Sequence, residues 1–257
     1  MGDYINSNTN TQGVIVYGGM SSDNYGMVVS EAPSFERPTR KQTIFNVPGK
    51  NGAIIFQEDA WEDIVRSYEV FIAGEIVEDS GGVISGTLAE RIDAFEAALN
   101  SKKGWQRLED NFEPDVFRLA YYSGGDGFSN NLTMYGEATL NFTCRPERFL
   151  KSGETAETVS HGDTMNNPTL FNSKPLIKIT VPSSNTVTVT IGGKTISAEV
   201  TDYIYIDCES MSAYRQATEN KNDKISGSFP VLAPGTNTIG ITGTVTKVEI
   251  TPRYFTI

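Results

Sequence analysis

Val187-Thr-Val-Thr-Ile-Gly-Gly-Lys-Thr-Ile-Ser-Ala-Glu-Val200 decides the fold class. Val187, Val189 and Ile191 alternate with threonines, Gly192-Gly193 turns the chain, and Ile196, Ala198 and Val200 alternate on the way back. Period-two alternation around a two-glycine turn is the signature of a β-hairpin with one buried face. The same pattern extends outward. Leu176-Ile-Lys-Ile-Thr-Val181 reads as a strand, and Ile204, Ile206 and Cys208 share one face of the next. Ser210 to Thr218 is expected as a short helix. Pro234-Gly235 introduces Asn237 to Ile241, and Val245 to Thr251 closes the sheet. Short strands at regular spacing with turn signals between them predict a β-sandwich over residues 169–257.

Upstream, Lys151 to Pro168 is polar, nearly free of large apolar residues, and carries Gly153 and Gly162. It reads as a linker, 151–168, between the sandwich and an N-terminal domain, 1–150. The first twelve residues are polar and are expected to be mobile, or ordered only by a neighbour. Val14 to Tyr17 is a first strand, and Tyr68, Val70 and Ile72 alternate in a half-buried one. Thr43 to Val47 and Ala53 to Phe56 are apolar runs around Pro48-Gly-Lys-Asn-Gly52, where Asn51-Gly52 predicts a tight hairpin turn. One helix is expected, from Thr87 to about Lys103. Thr87 and Glu90 have capping-box spacing, and Leu88, Ile92, Phe95 and Leu99 form one apolar stripe. Val116 to Tyr122 and Leu132 to Cys144 resume the strands, with Ala138, Leu140, Phe142 and Cys144 on the core face.

Composition excludes several functions. The 257 residues are 38% hydrophobic and 21% charged, as in a folded globular protein. The net charge is −11, and no cluster of Lys and Arg is present to neutralise phosphates. Cys144, Cys208 and the single His161 are too few and too scattered for a disulfide framework or a four-ligand zinc site. Cys144 and Cys208 read as core thiols, and His161 as a solvated side chain. The N-terminus lacks the basic and apolar parts of a signal peptide, and no apolar run approaches the ~20 residues that span a membrane. Without secretion, the glycosylation patterns at Asn131 and Asn141 carry no weight.

Catalytic chemistry finds little support. There is no phosphate-binding glycine loop, and Gly82-Val-Ile-Ser-Gly86 has its serine one place late for a nucleophile elbow. A serine or cysteine nucleophile would need His161 as base, and His161 falls in the linker. Glu58, Asp59, Glu62 and Asp63 surround Trp61, which could hold a sugar; a solvated acidic turn or helix end is the favoured reading. Trp105 reads as a core or edge anchor. No enzyme, cofactor or metal is expected.

Two sets of segments resemble the distal tail proteins of siphophages, the family of phage tail components at the tail-tip hub. In the first half these are Val14-Ile-Val-Tyr-Gly-Gly-Met-Ser-Ser-Asp-Asn-Tyr-Gly26 and Arg37-Pro-Thr-Arg-Lys-Gln-Thr-Ile-Phe-Asn-Val-Pro-Gly-Lys-Asn-Gly52. In the second they are Lys174 to Ile179, Tyr203-Ile-Tyr-Ile-Asp207, Phe229 to Ile239 and Val245 to Tyr254. The resemblance implies a mainly β protein with one helix: a ring-forming N-terminal domain of sheet plus helix, and a C-terminal galectin-like β-sandwich. It implies a homo-hexameric ring in the virion, made in the host bacterial cytoplasm. That ring would join the tail tube protein to the tail-associated tip protein and the receptor-binding protein, with DNA passing through unbound. Val47, Pro48, Asn51, Gly52 and Ile55 are the candidate assembly contacts, because their hairpin could reach an adjacent subunit. The alternative is a carbohydrate-binding host-recognition module. Galectin sugar sites use a histidine, arginines and a stacking tryptophan, and no tryptophan follows Trp105, so that particular site is not expected here.

Overall fold

In the computed structural model of the chain, residues 13–73, 86–129, 135–216 and 218–257 are described. The first twelve residues, most of Gly82 to Gly86, and Asn131 lie outside them. The chain divides into two compact units, Met1–Glu147 with Ile257, and Arg148–Thr256.

The first unit holds β1 (Ile15–Tyr17), β2 (Met20–Ser21), β3 (Met27–Val29), β4 (Arg40–Asn46), β5 (Ala53–Trp61), β6 (Ile64–Ala73), α1 (Leu88–Ser101), β7 (Gln106–Asp110), β8 (Val116–Gly125) and β9 (Tyr135–Leu150). Its main sheet runs β2-β1-β7-β8-β9-β6-β3, while β4 and β5 form a separate two-stranded sheet. Alternation sets the buried face: Tyr68, Val70 and Ile72 of β6 and Ala138, Leu140, Phe142 and Cys144 of β9 are all buried. Rings of Tyr17, Tyr68 and Tyr122 surround Phe142 at centroid distances of 5.1, 5.8 and 5.5 Å. The helix begins on a capping box: the Glu90 N–H donates to Thr87 Oγ1 at 3.3 Å, and the Thr87 N–H donates to Glu90 Oε2 at 2.9 Å. Leu88, Phe95 and Leu99 of α1 join the core. Arg91 is buried with them, its guanidinium donating to the Ala73 carbonyl.

The second unit holds β10 (Glu157–Val159), β11 (Thr164–Asn167), β12 (Leu176–Thr180), β13 (Asn185–Ile191), β14 (Lys194–Val200), β15 (Tyr203–Asp207), β16 (Ser212–Arg215), β17 (Glu219–Asn220), β18 (Ile225–Gly227), β19 (Gly235–Thr238), β20 (Gly240–Thr242), β21 (Lys247–Thr251) and β22 (Phe255–Thr256), and its two larger sheets make a β-sandwich. One sheet runs β10-β21-β12-β15-β16-β17, the other β18-β14-β13-β20. Their inner faces meet through Ile177, Ile179, Ile204, Ile206, Val248 and Ile250 from the first, and Val187, Val189, Ile191, Ile196, Ala198 and Val200 from the second. Each such side chain contributes roughly 1.5–3 kcal/mol on leaving water.

Two expectations are corrected. Ser210 to Thr218 is not a helix: Ser212–Arg215 is a strand paired to β15, with Ala213 opposite Ile206. Ala213 faces the core while Tyr214 faces outward, which suits a period of two and no helical stripe. Positive φ at Met211 and Gln216 breaks the backbone on either side. Residues 151–168 contain β10 and β11 rather than only a linker. Val159 and Met165 enter the sandwich core, and β10 adds to the edge strand β21. Two apolar residues in a polar stretch suffice, because each covers one inward position of a short edge strand.

Candidate assembly surface

The hairpin β4-β5 carries the sequence-selected residues Val47, Pro48, Asn51, Gly52 and Ile55. In register, Asn46 faces Ala53, Phe45 faces Ile54, Ile44 faces Ile55 and Thr43 faces Phe56. Opposed residues share a face, so Ile44 and Ile55 lie on one side, and Phe45, Ile54 and Phe56 on the other. The strands are therefore apolar on both faces. All of these side chains are exposed, Ile55 at 55% and Phe56 at 64%. An isolated two-stranded hairpin is marginal in water, and one with two apolar faces has no solvent side.

The connection differs from the expected tight turn. Residues 47–52 link the strands, the Lys50 N–H donates to the Val47 carbonyl at 3.2 Å, and positive φ falls on Gly49 and Gly52. Asn51 is not among the residues with positive φ. Pro48 fixes its own φ near −65°, which favours a wider loop that reverses at Gly49. Val47, at the loop's start, is 42% exposed, and Pro48, Asn51 and Gly52 are exposed.

At the hairpin's base the Arg40 guanidinium lies 4.8 Å from the Trp61 ring centroid and 3.2 Å from Asp59 Oδ1. Glu58, Asp59, Glu62 and Asp63 are exposed along the end of β5 and the turn after it. That arrangement is a solvated acidic strand end anchored by one cation–aromatic contact.

A second exposed apolar patch lies on the same unit, away from the core. Trp105 and Tyr121 meet edge to face at 5.3 Å, and Arg145 lies 5.0 Å over the Trp105 ring. Val65, on the outward phase of β6, is 51% exposed. The edge-anchor reading of Trp105 describes this position.

The inward face of the unit holds a charge network that the sequence reading did not pick out. Arg66 Nη2 lies 3.0 Å from Asp110 Oδ2 and 3.1 Å from Glu113 Oε2, and Arg118 Nη1 lies 2.8 Å from the same Glu113 oxygen. The Tyr68 hydroxyl donates to Asp110 Oδ2 at 2.6 Å and accepts from Arg66 Nε at 2.7 Å. Burial, then the Asp110 charge, pushes the Tyr68 phenol well above its usual range. The signal was present, since Arg66 shares the inward phase of Tyr68, Val70 and Ile72. Arg66, Tyr68, Asp110 and Arg118 are buried and Glu113 is half-buried, and the network ties β6 to the end of β7 and the β7–β8 turn.

Burial pushes the Cys144 thiol up to about 11 and the Cys208 thiol up to about 12. His161 is exposed, and its Nδ1 accepts the Ile241 N–H at 3.0 Å. It thus holds backbone as well as meeting solvent. Among the described residues, no group of three or more His, Cys, Asp or Glu stands ready for a metal ion, and no helix is long and apolar enough to cross a membrane.

No protein-family model matches the sequence, and no curated protein sequence matches it significantly. Solved structures do. The chain is similar to the Dit protein of phage SPP1, a paradigm of the hub adsorption apparatus in phages that infect Gram-positive bacteria. The two are 16% identical, over 95% of this chain and 99% of that one, with a TM-score of 0.72. Two structures of the phage p2 baseplate in its activated conformation, with strontium and with calcium, are 12% and 11% identical over 93% of this chain and 96% of theirs, at a TM-score of 0.49. The chain shares the fold of the SPP1 protein.

Proposed function

We propose that this chain is a structural, non-enzymatic hub of a phage tail tip, and that copies of it close into a hexameric ring. In this reading the ring joins the tail tube protein to the tail-associated tip protein and the receptor-binding protein. It resides in the virion after synthesis in the host cytoplasm, and DNA slides through it. The observation that carries the proposal is the β4-β5 hairpin, whose apolar residues are exposed on both faces. The fold shared over nearly the whole chain with a hub protein supports it.

The hairpin and the Trp105–Tyr121 pair are separate exposed apolar groups of one unit. Contact between the first on one copy and the second on the next is head-to-tail, and such contacts generate rings when the rotation closes. A net charge of −11 per copy gives a lumen that repels phosphate and offers little counterion-release affinity.

Size-exclusion chromatography with light scattering tests the ring. The wild-type chain should elute as a closed oligomer near six copies. Replacing Val47 and Ile55 together with Asp should give a monomer whose two units still melt cooperatively. A double variant that remains a ring removes the hairpin from the subunit contact, and a wild-type chain that is monomeric at all concentrations removes the self-assembly.

A further inference from the structure

At one end of the sandwich a cavity of about 270 Å³ opens between the turn from β14 into β15 and the β16–β17 edge. Its apolar floor is Val200 and Ile204, both buried, beside the Tyr203 ring. Its polar wall is Glu199, Arg215, Lys221 and Lys224. The size suits one small ring compound, just below the usual range of about 300–1,000 Å³ for ligand pockets.

The wall's charges are already paired. Arg215 Nη2 lies 3.0 Å from Asp202 Oδ2, and its guanidinium sits 5.2 Å from the Tyr203 ring centroid. Lys221 Nζ is 2.6 Å from Glu219, and Lys224 Nζ is 3.5 Å from Glu199 and 3.7 Å from Asp223. The lining itself carries three cations and one carboxylate, Glu199, and each cation is paired: with Asp202, with Glu219, and with Glu199 and Asp223, the three others lying outside the lining. With those partners counted the sum is −1, which leaves no unpaired cation for a phosphate. What remains is a set of N–H donors and one carboxylate acceptor, Glu199, around an apolar floor. That is what a neutral polyol needs: C–H groups against the floor, hydroxyls that both donate and accept at the wall.

We propose that this cavity binds a single neutral sugar residue of a surface glycan. Arg215 and Glu199 would hold vicinal hydroxyls, and Val200, Ile204 and Tyr203 would receive the ring's apolar side. The site stands apart from the galectin arrangement that the sequence lacks, and it does not depend on ring formation, since every lining residue belongs to one unit.

The test is saturation-transfer NMR on the full chain, titrated with the methyl glycosides of glucose, galactose, mannose and N-acetylglucosamine, with poly(glycerol phosphate) in parallel. At least one glycoside should bind saturably with a dissociation constant on the order of 1–10 mM, weak as expected for one sugar ring. Glu199→Gln and Arg215→Ala should each weaken it about tenfold or more. Glu199 and Lys224 are exposed, so Glu199→Gln with Lys224→Gln keeps the fold if Arg215→Ala does not. The proposal is overturned if no glycoside saturates, if binding survives these substitutions unchanged, or if only poly(glycerol phosphate) binds, with an affinity that falls steeply with salt.

Discussion

Two hairpins in this molecule are made of similar material and meet opposite fates. In β13-β14, Val187, Val189 and Ile191 face Ala198, Ile196 and Lys194, and every apolar member is buried. In β4-β5, Ile44, Phe45, Ile54, Ile55 and Phe56 are as apolar, and all are exposed. Composition does not separate them; phase does. Val-Thr-Val-Thr-Ile puts its apolar atoms on one side and its hydroxyls on the other. Ile-Phe and Ile-Ile-Phe put apolar atoms on both sides, and a single core can cover only one. The first hairpin is covered within its own unit, and the second is exposed on both faces.

A charge placed in each hairpin breaks the comparison most severely. Val189→Asp puts a carboxylate between Ile196 and Ile241 in the sandwich core and should cost more than about 4 kcal/mol, enough to abolish cooperative melting of a fragment spanning 148–257. The wild-type fragment should melt in one transition. Arg66→Ala, in the other core, strands Asp110 and should cost about 3–5 kcal/mol in urea denaturation of the full chain. Ile55→Asp should change the stability of either unit by no more than about 0.5 kcal/mol while weakening assembly. If Ile55→Asp unfolds the first unit, the hairpin is core after all and the contrast disappears.

Smaller effects sharpen the same contrast between covered and uncovered groups. Thr87→Ala removes one half of the capping box and should cost about 1 kcal/mol, seen as a modest fall in the first unit's melting temperature. The two thiols give the finest reading. Both folded values lie above the ordinary 9.0, at about 11 and about 12, so the stability they contribute is whole below pH 9 and is lost as pH rises through those folded values. Thiolate absorbance at high pH should therefore appear only with, or after, unfolding. A thiolate step near pH 9 in the native protein would show that one of these thiols reaches water.

The fold was legible where one local rule decided it. The alternation in β6, β9, β13 and β14 marks its buried face residue by residue, and the Thr87–Glu90 pair marks the start of α1. Reading failed where a strand is only three or four residues long. Glu157–Val159 and Thr164–Asn167 each bury a single large apolar side chain, too little for any periodicity to register. Ser212–Arg215 failed for the same reason. The hairpin was found from its sequence, but the Asn51-Gly52 signal named the wrong turn, because Pro48 and Gly49 widen the loop. The cavity at Tyr203 was invisible: Glu199, Arg215 and Lys224 come together only through the strand order, and no spacing along the chain announces that.

The sheet order of the first unit has a consequence for the moment of synthesis. β6 pairs along its whole length with β9, which is made long after it, so the unit cannot close until Leu150 has left the ribosome. At ~5–20 residues per second, the roughly 90 residues between Trp61 and Leu150 take about 5–20 s. Throughout that interval β4 and β5 are already out, with nothing of their own chain to cover them. Lys41 before the apolar stretch, Lys50 in its loop, and Glu58 and Asp59 after it act as gatekeepers, placing charge where a stray strand would otherwise add. A nascent chain stripped of those four charges should aggregate on the ribosome even though its finished fold is unchanged.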